Sequence, residues 1–356
     1  MTQADPVRVL VVGDSYMPAG VFTAALAGLG DSVSVTELQI DSPTAAPPRT
    51  DSERALREYV GDPAHIVAAV ACHDALLVHG APVSAEVLDA APLRLVCCAR
   101  GGPVNVDVAA ASRRGIPVTN APGRNAQAVA ELTIAFALML VRGVHASARY
   151  LVDGGQLAEN TYEGSEFIGA EAASMTLGLV GLGNVGREVA ARGRTLGFTM
   201  LGYDPVRPTI VPPGVTMVTL DDLLSRSELI SLHARATPDN RHLLGAAAFA
   251  RMPRGAFFIN TARESLVDED ALAAALASGT LAGAALDVVE RRPAGDRHPL
   301  LDLPNVIITP HIGGATRETL QRGAEMTAAA VARLASGEIP DHLVNPEVLV
   351  RREVAP

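Results

Sequence analysis

Short apolar runs alternate with Ala-rich stretches of helical composition along the whole chain. Two such series are separable. In the first, VRVLVVGD (7–14), ALLVHG (75–80), RLVCCARGG (94–102) and PVTNAP (117–122) each read as a short buried strand running into a polar or Gly/Pro loop. In the second, the strand-like runs are TLGLVGLG (176–183), TMLGYDP (199–205), LISLHARA (229–236), AFFINTAR (256–263), GAALDV (283–288) and NVIITPHIGG (305–314). Strand–helix alternation predicts parallel sheets covered by helices, an α/β class. Six strands at even spacing is the count of a dinucleotide-binding sheet. The segment 125–151 joins the two series. It is apolar all round, which predicts a buried helix between domains or across a subunit interface. The last helical stretch, 315–337, follows the second series and is expected to cross back onto the first domain, leaving a cleft between the two.

At 356 residues the chain suits two domains. The pattern places a discontinuous substrate domain at 1–121 plus 318–356 and a dinucleotide-binding domain at 122–317. Composition narrows the chemistry. The net charge of −10 disfavours nucleic acid and anionic membranes as partners. There is no lysine; all 29 basic residues are arginine, so every cationic side-chain contact is a planar guanidinium suited to carboxylate or phosphate. Three cysteines without a spaced framework (Cys72, Cys97, Cys98) indicate a reducing, cytoplasmic setting, with Cys97 and Cys98 as buried strand residues. The N-terminus lacks a basic n-region, and the longest apolar run (132–141) is too short to span a bilayer. The histidines have no ligand-like spacing, so no metal is expected.

The chemistry sits at strand ends. GLGNVG supplies Gly181, Gly183 and Gly186 between a strand and a helix, where backbone can approach a pyrophosphate at the helix N-terminus. Asp204 ends the next strand at about the spacing of a ribose 2′-hydroxyl acceptor, favouring NAD over NADP, although Arg207 lies nearby. Arg263, Asp287 and His311 each follow a strand of the same series. Hydride transfer to or from a hydroxy acid needs a cation to hold the carboxylate, a group titrating near neutrality to move the hydroxyl proton, and a fixed cofactor. In that reading Gly313 and Gly314 keep side chains away from the nicotinamide.

With these segments, and with RGGPVNVDVAAASRRGIPVTNAPGRNAQAVAE (100–131), FFINTARESLVDEDALAAAL, AGAALDV and LPNVIITPHIGGAT in the same order, the chain resembles the D-isomer-specific 2-hydroxyacid dehydrogenases over nearly its whole length. The resemblance implies a flavodoxin-like domain beside a Rossmann domain. It implies His311 as acid/base and Arg263 as ligand of the substrate carboxylate and carbonyl. Asn184 and Val185 would offer backbone to the pyrophosphate, with Asp204 on the ribose. His233, Thr261 and Ala262 would line the cofactor, and Asp287 would meet the nicotinamide carboxamide. Arg100, Gly101, Gly102 and Asn125 would face the substrate. It also implies a homodimer through the cofactor domain and a small anionic substrate. Arg100, Arg124, Arg263 and Arg292 suggest a substrate with more than one anionic group, phosphorylated or sugar-derived, while Arg100 and Arg124 read equally well as salt-bridge partners at the domain edge.

The chain departs from the family pattern in DVVERRP, where Arg292 stands at the usual glutamate position and Glu290 lies two residues early. A carboxylate beside a histidine favours the protonated ring; an arginine disfavours it. Either Arg292 points to solvent and water or Glu290 serves the histidine, or the histidine is tuned differently, and keto-acid reduction is expected to fall off at lower pH than is usual for the family. Glu264 and Arg235 replace the common glycine and proline. The lost glutamate also leaves room for a dinucleotide-sensing regulatory protein on the same fold, or for an oxidase of a one-carbon or inorganic anion.

Overall fold

The computed structural model describes residues 5–42, 44–155, 167–206, 210–290 and 296–349. The chain forms two compact units, one running up to Arg124 and resuming at Ala315, the other comprising Asn125–Gly314.

The first unit is built on β1 (Val7–Gly13), β2 (Val33–Gln39), β3 (Ala75–Val78), β4 (Leu95–Cys98) and β5 (Val118–Thr119), all parallel, in the order β2-β1-β3-β4-β5. This is the flavodoxin-like strand order. Both sheet faces are buried, so the inner strands are continuously apolar. Val9 and Val11 point into one cluster, with Leu95 and Cys97, while Leu10 and Val12 point into the other, with Val96 and Cys98. Burial pushes the Cys97 and Cys98 thiols up to about 12 and 11. They remain protonated hydrophobes, not a redox pair.

The long helix Arg317–Ala335 returns to this unit. Its Ala324, Ala328, Val331 and Leu334 join the cluster that holds Phe22 and Leu26 of the helix Ala19–Leu26. The chain beyond it closes the β5 edge. Leu343 bridges Thr119 antiparallel, and buried Asn345 accepts a hydrogen bond from the Val118 amide and donates to the Ile116 carbonyl and the Ser112 hydroxyl. The sequence pattern missed β2, an edge strand whose residues are half or fully exposed and so carry no apolar run.

Among the described residues the second unit holds seven parallel strands rather than the six expected: β6 (Thr176–Val180), β7 (Thr199–Tyr203), β8 (Val215–Met217), β9 (Leu229–Leu232), β10 (Ala256–Asn260), β11 (Leu281–Leu286) and β12 (Val306–Ile308). Their order is β12-β11-β10-β9-β6-β7-β8. The added strand, β8, is a three-residue edge with no fully buried position. One face of the sheet packs Ile230, Phe258, Leu272 and Leu286, the other Leu177, Leu179, Leu229 and Ile259.

The segment 125–151 is two helices and not one. Ala126–Val141 buries Ala130, Phe136, Ala137 and Leu140 in the second face. Gly143, at φ +62°, then turns the chain by 67° into Val144–Val152, which has no buried residue. A left-handed glycine ends the first helix cheaply. No single helix among the described residues is long and apolar enough to cross a membrane.

Asn345→Ala should leave the buried Val118 N–H and Ile116 C=O without partners and destabilise the protein by about 2–4 kcal/mol, from one or two unsatisfied buried groups. Urea denaturation of the variant against the parent measures it.

Candidate active site

The parallel ladder of the second sheet sets Ile308, Leu286, Asn260, Leu232, Val180 and Tyr203 in one register row across six strands. Just beyond that row, at the carboxyl ends of the strands, come His311, Asp287, Arg263, His233, Gly181 and Asp204. The strand order reverses between β6 and β9, and ligands of open α/β sheets bind outside the carboxyl ends at such a switch point.

The glycine loop lies at this switch. Gly181 has φ +101°, and a Cβ there would come 2.7 Å from the Ala234 amide nitrogen. A Cβ on Gly186 would lie 2.1 Å from the Gly181 carbonyl oxygen. Both glycines are therefore demanded by the chain itself. Gly183 is different: a Cβ there meets nothing within 4 Å, and the residue is exposed. It stands before the helix Asn184–Thr195, whose first turn receives no side-chain cap. Bare backbone and free first-turn amides at a helix N-terminus form a cradle for an anion.

Asp204 carries the loop from the other side, accepting hydrogen bonds from the Leu182 amide (2.8 Å) and the Val206 amide (3.0 Å). His233 contacts Ser231 Oγ through Nε2 at 2.9 Å, while its Nδ1 is buried and has no hydrogen-bond partner among the described residues. Burial holds its pKa down at about 3, so the ring is neutral. Thr261 Oγ1 lies 3.1 Å from Thr133 Oγ1. The open Gly183, the uncapped helix and the orphaned His233 nitrogen all fit a dinucleotide lying across the loop.

Two further loops are shaped by one buried polar residue each. Asn260 accepts from the Ala262 amide and donates to the Arg263 carbonyl, folding the turn that presents Arg263. Arg263 Nη1 in turn donates to the Ala262 carbonyl at 2.7 Å. Asp287, 2% exposed, accepts from Thr309 Oγ1 (2.6 Å), the Ile312 amide (2.8 Å) and the Gly313 amide (2.7 Å). This ties down the loop carrying His311, which is exposed and held at φ +59° by its amide bond to the Asp287 carbonyl. A non-glycine residue at positive φ needs such support.

The loop geometry also revises the reason for Gly313. A Cβ there would lie 2.8 Å from Asp287 Oδ2, so the glycine is required by the carboxylate beneath it. Arg292 and Arg207 fall outside the described residues. Glu290 does not stand in for the missing glutamate: its carboxylate pairs with Arg241 at 3.7 Å, and the His311 imidazole makes no hydrogen bond to a described residue. Glu269 accepts from the Glu290 amide and pairs with buried His298, which caps the short turn Pro299–Asp302.

In the first unit, Gly101 and Gly102 are exposed, and a Cβ on either would meet at most one atom, at 4.0 Å. Arg100 beside them is engaged by the Glu58 carboxylate and carbonyl. Asn125 begins the helix Ala126–Val141 without a side-chain cap bond.

The family model for the D-isomer specific 2-hydroxyacid dehydrogenase NAD binding domain matches residues 134–313. The chain belongs to that family. It is 39% identical to a glyoxylate reductase of Korarchaeum cryptofilum over 75% of this chain and 81% of that protein. It is 37% identical to the D-3-phosphoglycerate dehydrogenase of Mycobacterium bovis over 98% of this chain, and spans 61% of that longer protein. Among solved structures, the TT0316 protein from Thermus thermophilus is similar, with a TM-score of 0.76, 33% identity, and coverage of 95% of this chain and 100% of that one. So is a D-lactate dehydrogenase from Aquifex aeolicus in complex with NAD and lactic acid, with a TM-score of 0.72, 26% identity, and coverage of 95% and 99%. Family and fold together support an oxidoreductase that works with a nicotinamide dinucleotide.

One cluster escaped the sequence reading of this dehydrogenase-family chain. Asp14, His79 and Arg124 of the first unit are joined in a buried series. Residues 14, 79 and 124 share no spacing, so although Arg124 stands out in the sequence, only the fold reveals that it meets His79 and, through it, Asp14.

Folding buries His233 neutral, with its pKa far below the unfolded value of about 6.5. Its contribution to stability is complete above that pH and is lost as pH falls toward about 3, with a slope of at most ~1.4 kcal/mol per pH unit. His233→Gln should therefore flatten the fall in urea midpoint between pH 6 and pH 4 relative to the parent. Parallel curves would refute the assignment.

Proposed function

We propose that the protein is an NAD-dependent dehydrogenase interconverting a D-2-hydroxy acid and a 2-keto acid. The observation that carries this reading is the row of strand ends, which sets an exposed imidazole and a guanidinium along the same sheet edge as a glycine cradle. A nicotinamide dinucleotide held in this cradle would supply the hydride to the keto carbon in reduction. His311 gives its proton to the keto oxygen, and takes it back from the hydroxyl in oxidation. The Arg263 guanidinium binds the substrate carboxylate as a planar fork and polarises the adjacent carbonyl.

Asp287 is a positioning residue in this scheme. Its carboxylate fixes the loop that aims His311, and Oδ2, with one bond from Gly313, keeps acceptor capacity for the carboxamide. The amides of Asn184, Val185 and Gly186 receive the pyrophosphate, with Thr261, Ala262, Gly313 and Gly314 lining the cofactor. Asp204 accepts from the ribose hydroxyl and repels a 2′-phosphate, which supports NAD over NADP. Arg100 and the open backbone of Gly101 and Gly102 on the first unit bind substrate, as does Asn125 at the start of the second. The substrate is a small anion of the glyoxylate, hydroxypyruvate or phosphohydroxypyruvate type.

The same reading assigns the exposed apolar side chains of Val144–Val152, where Val152 is 85% exposed, to contact with a second copy. Light scattering should give about twice the 36.9 kDa chain mass, shifting toward one chain in Leu151→Arg.

NADH oxidation with glyoxylate, hydroxypyruvate and phosphohydroxypyruvate tests the activity. One of them should turn over, and His311→Ala should lower kcat about 10²–10⁴-fold, the range for a lost general acid. Tight NADH binding without turnover on any keto acid would instead support a dinucleotide-sensing role.

A further inference from the structure

Arg124 is 7% exposed, yet among the described residues no carboxylate stands within ion-pair distance of it. Its Nη2 faces His79 Nε2 at 3.1 Å and its Nη1 donates to the Thr319 carbonyl at 3.4 Å. A guanidinium has five N–H donors, so most of its donor capacity is unused among the described residues. A buried cation without a counter-anion is costly, and folding does not ordinarily retain one without a use for it.

The surroundings are built to hold this guanidinium. Because Arg124 is purely a donor, His79 Nε2 must be the acceptor and the imidazole proton must sit on Nδ1. There it is met by Asp14 Oδ2 at 3.0 Å. Asp14 is itself fixed by the amides of Tyr16, Met17 and Gly80, at 2.7–2.8 Å. The Tyr16 ring stacks on His79, with centroids 4.8 Å apart and planes within 10°. Gly323 leaves room for the arginine stem, since a Cβ there would lie 3.1 Å from Arg124 Cδ, and Arg322 Nε donates to the Arg124 carbonyl.

The charges agree with this wiring. Burial drives Arg124 below the ordinary arginine value, and the charge of Arg100 adds to that. Burial also drives His79 down, keeping it neutral against the pull of Asp14. Burial alone would raise Asp14, but the His79 hydrogen bond and the amides outweigh it and hold the carboxylate ionised.

We propose that Arg124 is the ligand for a second anionic group on the substrate, a carboxylate or phosphate beyond the 2-keto acid itself, with His79 and Asp14 as positioning residues that aim it. This rests on the dehydrogenase reading and narrows it to dianionic substrates. A planar fork gripped on one edge by a neutral imidazole presents its other donors as a bidentate oxyanion site. Asp14 sets the tautomer. An amide at that position would donate to Nδ1, move the ring proton to Nε2 and set donor against donor at Arg124.

Two measurements on the full chain test this. The first is the preference for phosphohydroxypyruvate over glyoxylate, as the ratio of kcat/KM values. Arg124→Gln should lower that ratio at least about 30-fold, in line with loss of a charge-assisted bidentate contact. Asp14→Asn should lower it about 10-fold, chiefly through KM for the phosphorylated substrate. Arg124→Lys, which keeps the charge and loses the fork, decides the matter if Arg124→Gln does not fold. An unchanged ratio in the folded variants overturns the proposal.

The second measurement needs no turnover. Inorganic phosphate should raise the thermal midpoint of the parent and not that of Arg124→Gln or Arg124→Lys. Equal stabilisation of parent and variants, or none of the parent, overturns the anion site. Should no keto acid turn over while phosphate stabilises only the parent, the anion site stands and the dehydrogenase reading fails.

Discussion

The in-register parallel ladder of the second sheet is the constraint on which the rest of the site depends. Each strand contributes little beyond a short apolar run. Because the strands are parallel and aligned from β12 to β7, their carboxyl ends finish in one row. A side chain one to three residues past each end is thereby placed along the same edge. A one-residue slip in any pairing would turn that strand's side chains to the opposite face, so burial on both faces protects the site as well as the core.

Beyond the row, single buried polar residues do the local shaping. Asp287 gathers three donors from the loop of His311, and Asn260 bonds both ends of the turn of Arg263. In each case a group that is expensive to bury is satisfied by its surroundings, and the bonded backbone becomes rigid. His311 sits at positive φ because this bonding over-determines it. The first unit uses the same device around Asp14, whose carboxylate collects three amides and a histidine. There the rigidity is passed to a guanidinium rather than to an acid/base group.

Much of this was legible in the sequence. Strands with two buried faces announce themselves as apolar runs, and the glycine loop, Arg263, Asp287 and His311 stand at their ends. Two of the edge strands did not show: β2 and β8 have exposed positions and so carry no such signal, unlike the more buried edges β5 and β12. The segment 125–151 read as one buried helix because its composition is uniform, whereas the left-handed turn at Gly143 exposes its second half. Sequence alone sets Asp287 and Gly313 against a cofactor, while their mutual contact adds a steric and hydrogen-bonding reason for the pair.

Local patterns were enough to set the class of fold, the two series of strands and the order of the chemistry-bearing motifs, because burial on a sheet and the steric demands of glycine act over a few residues. Which side chains meet was a matter of packing in three dimensions. The fold joined Asp14, His79 and Arg124 from distant parts of the chain, set Glu290 on Arg241, and left an arginine buried without a carboxylate among the described residues. Pairings of that kind depend on strand order and on where a returning helix packs, and no spacing along the chain encodes either.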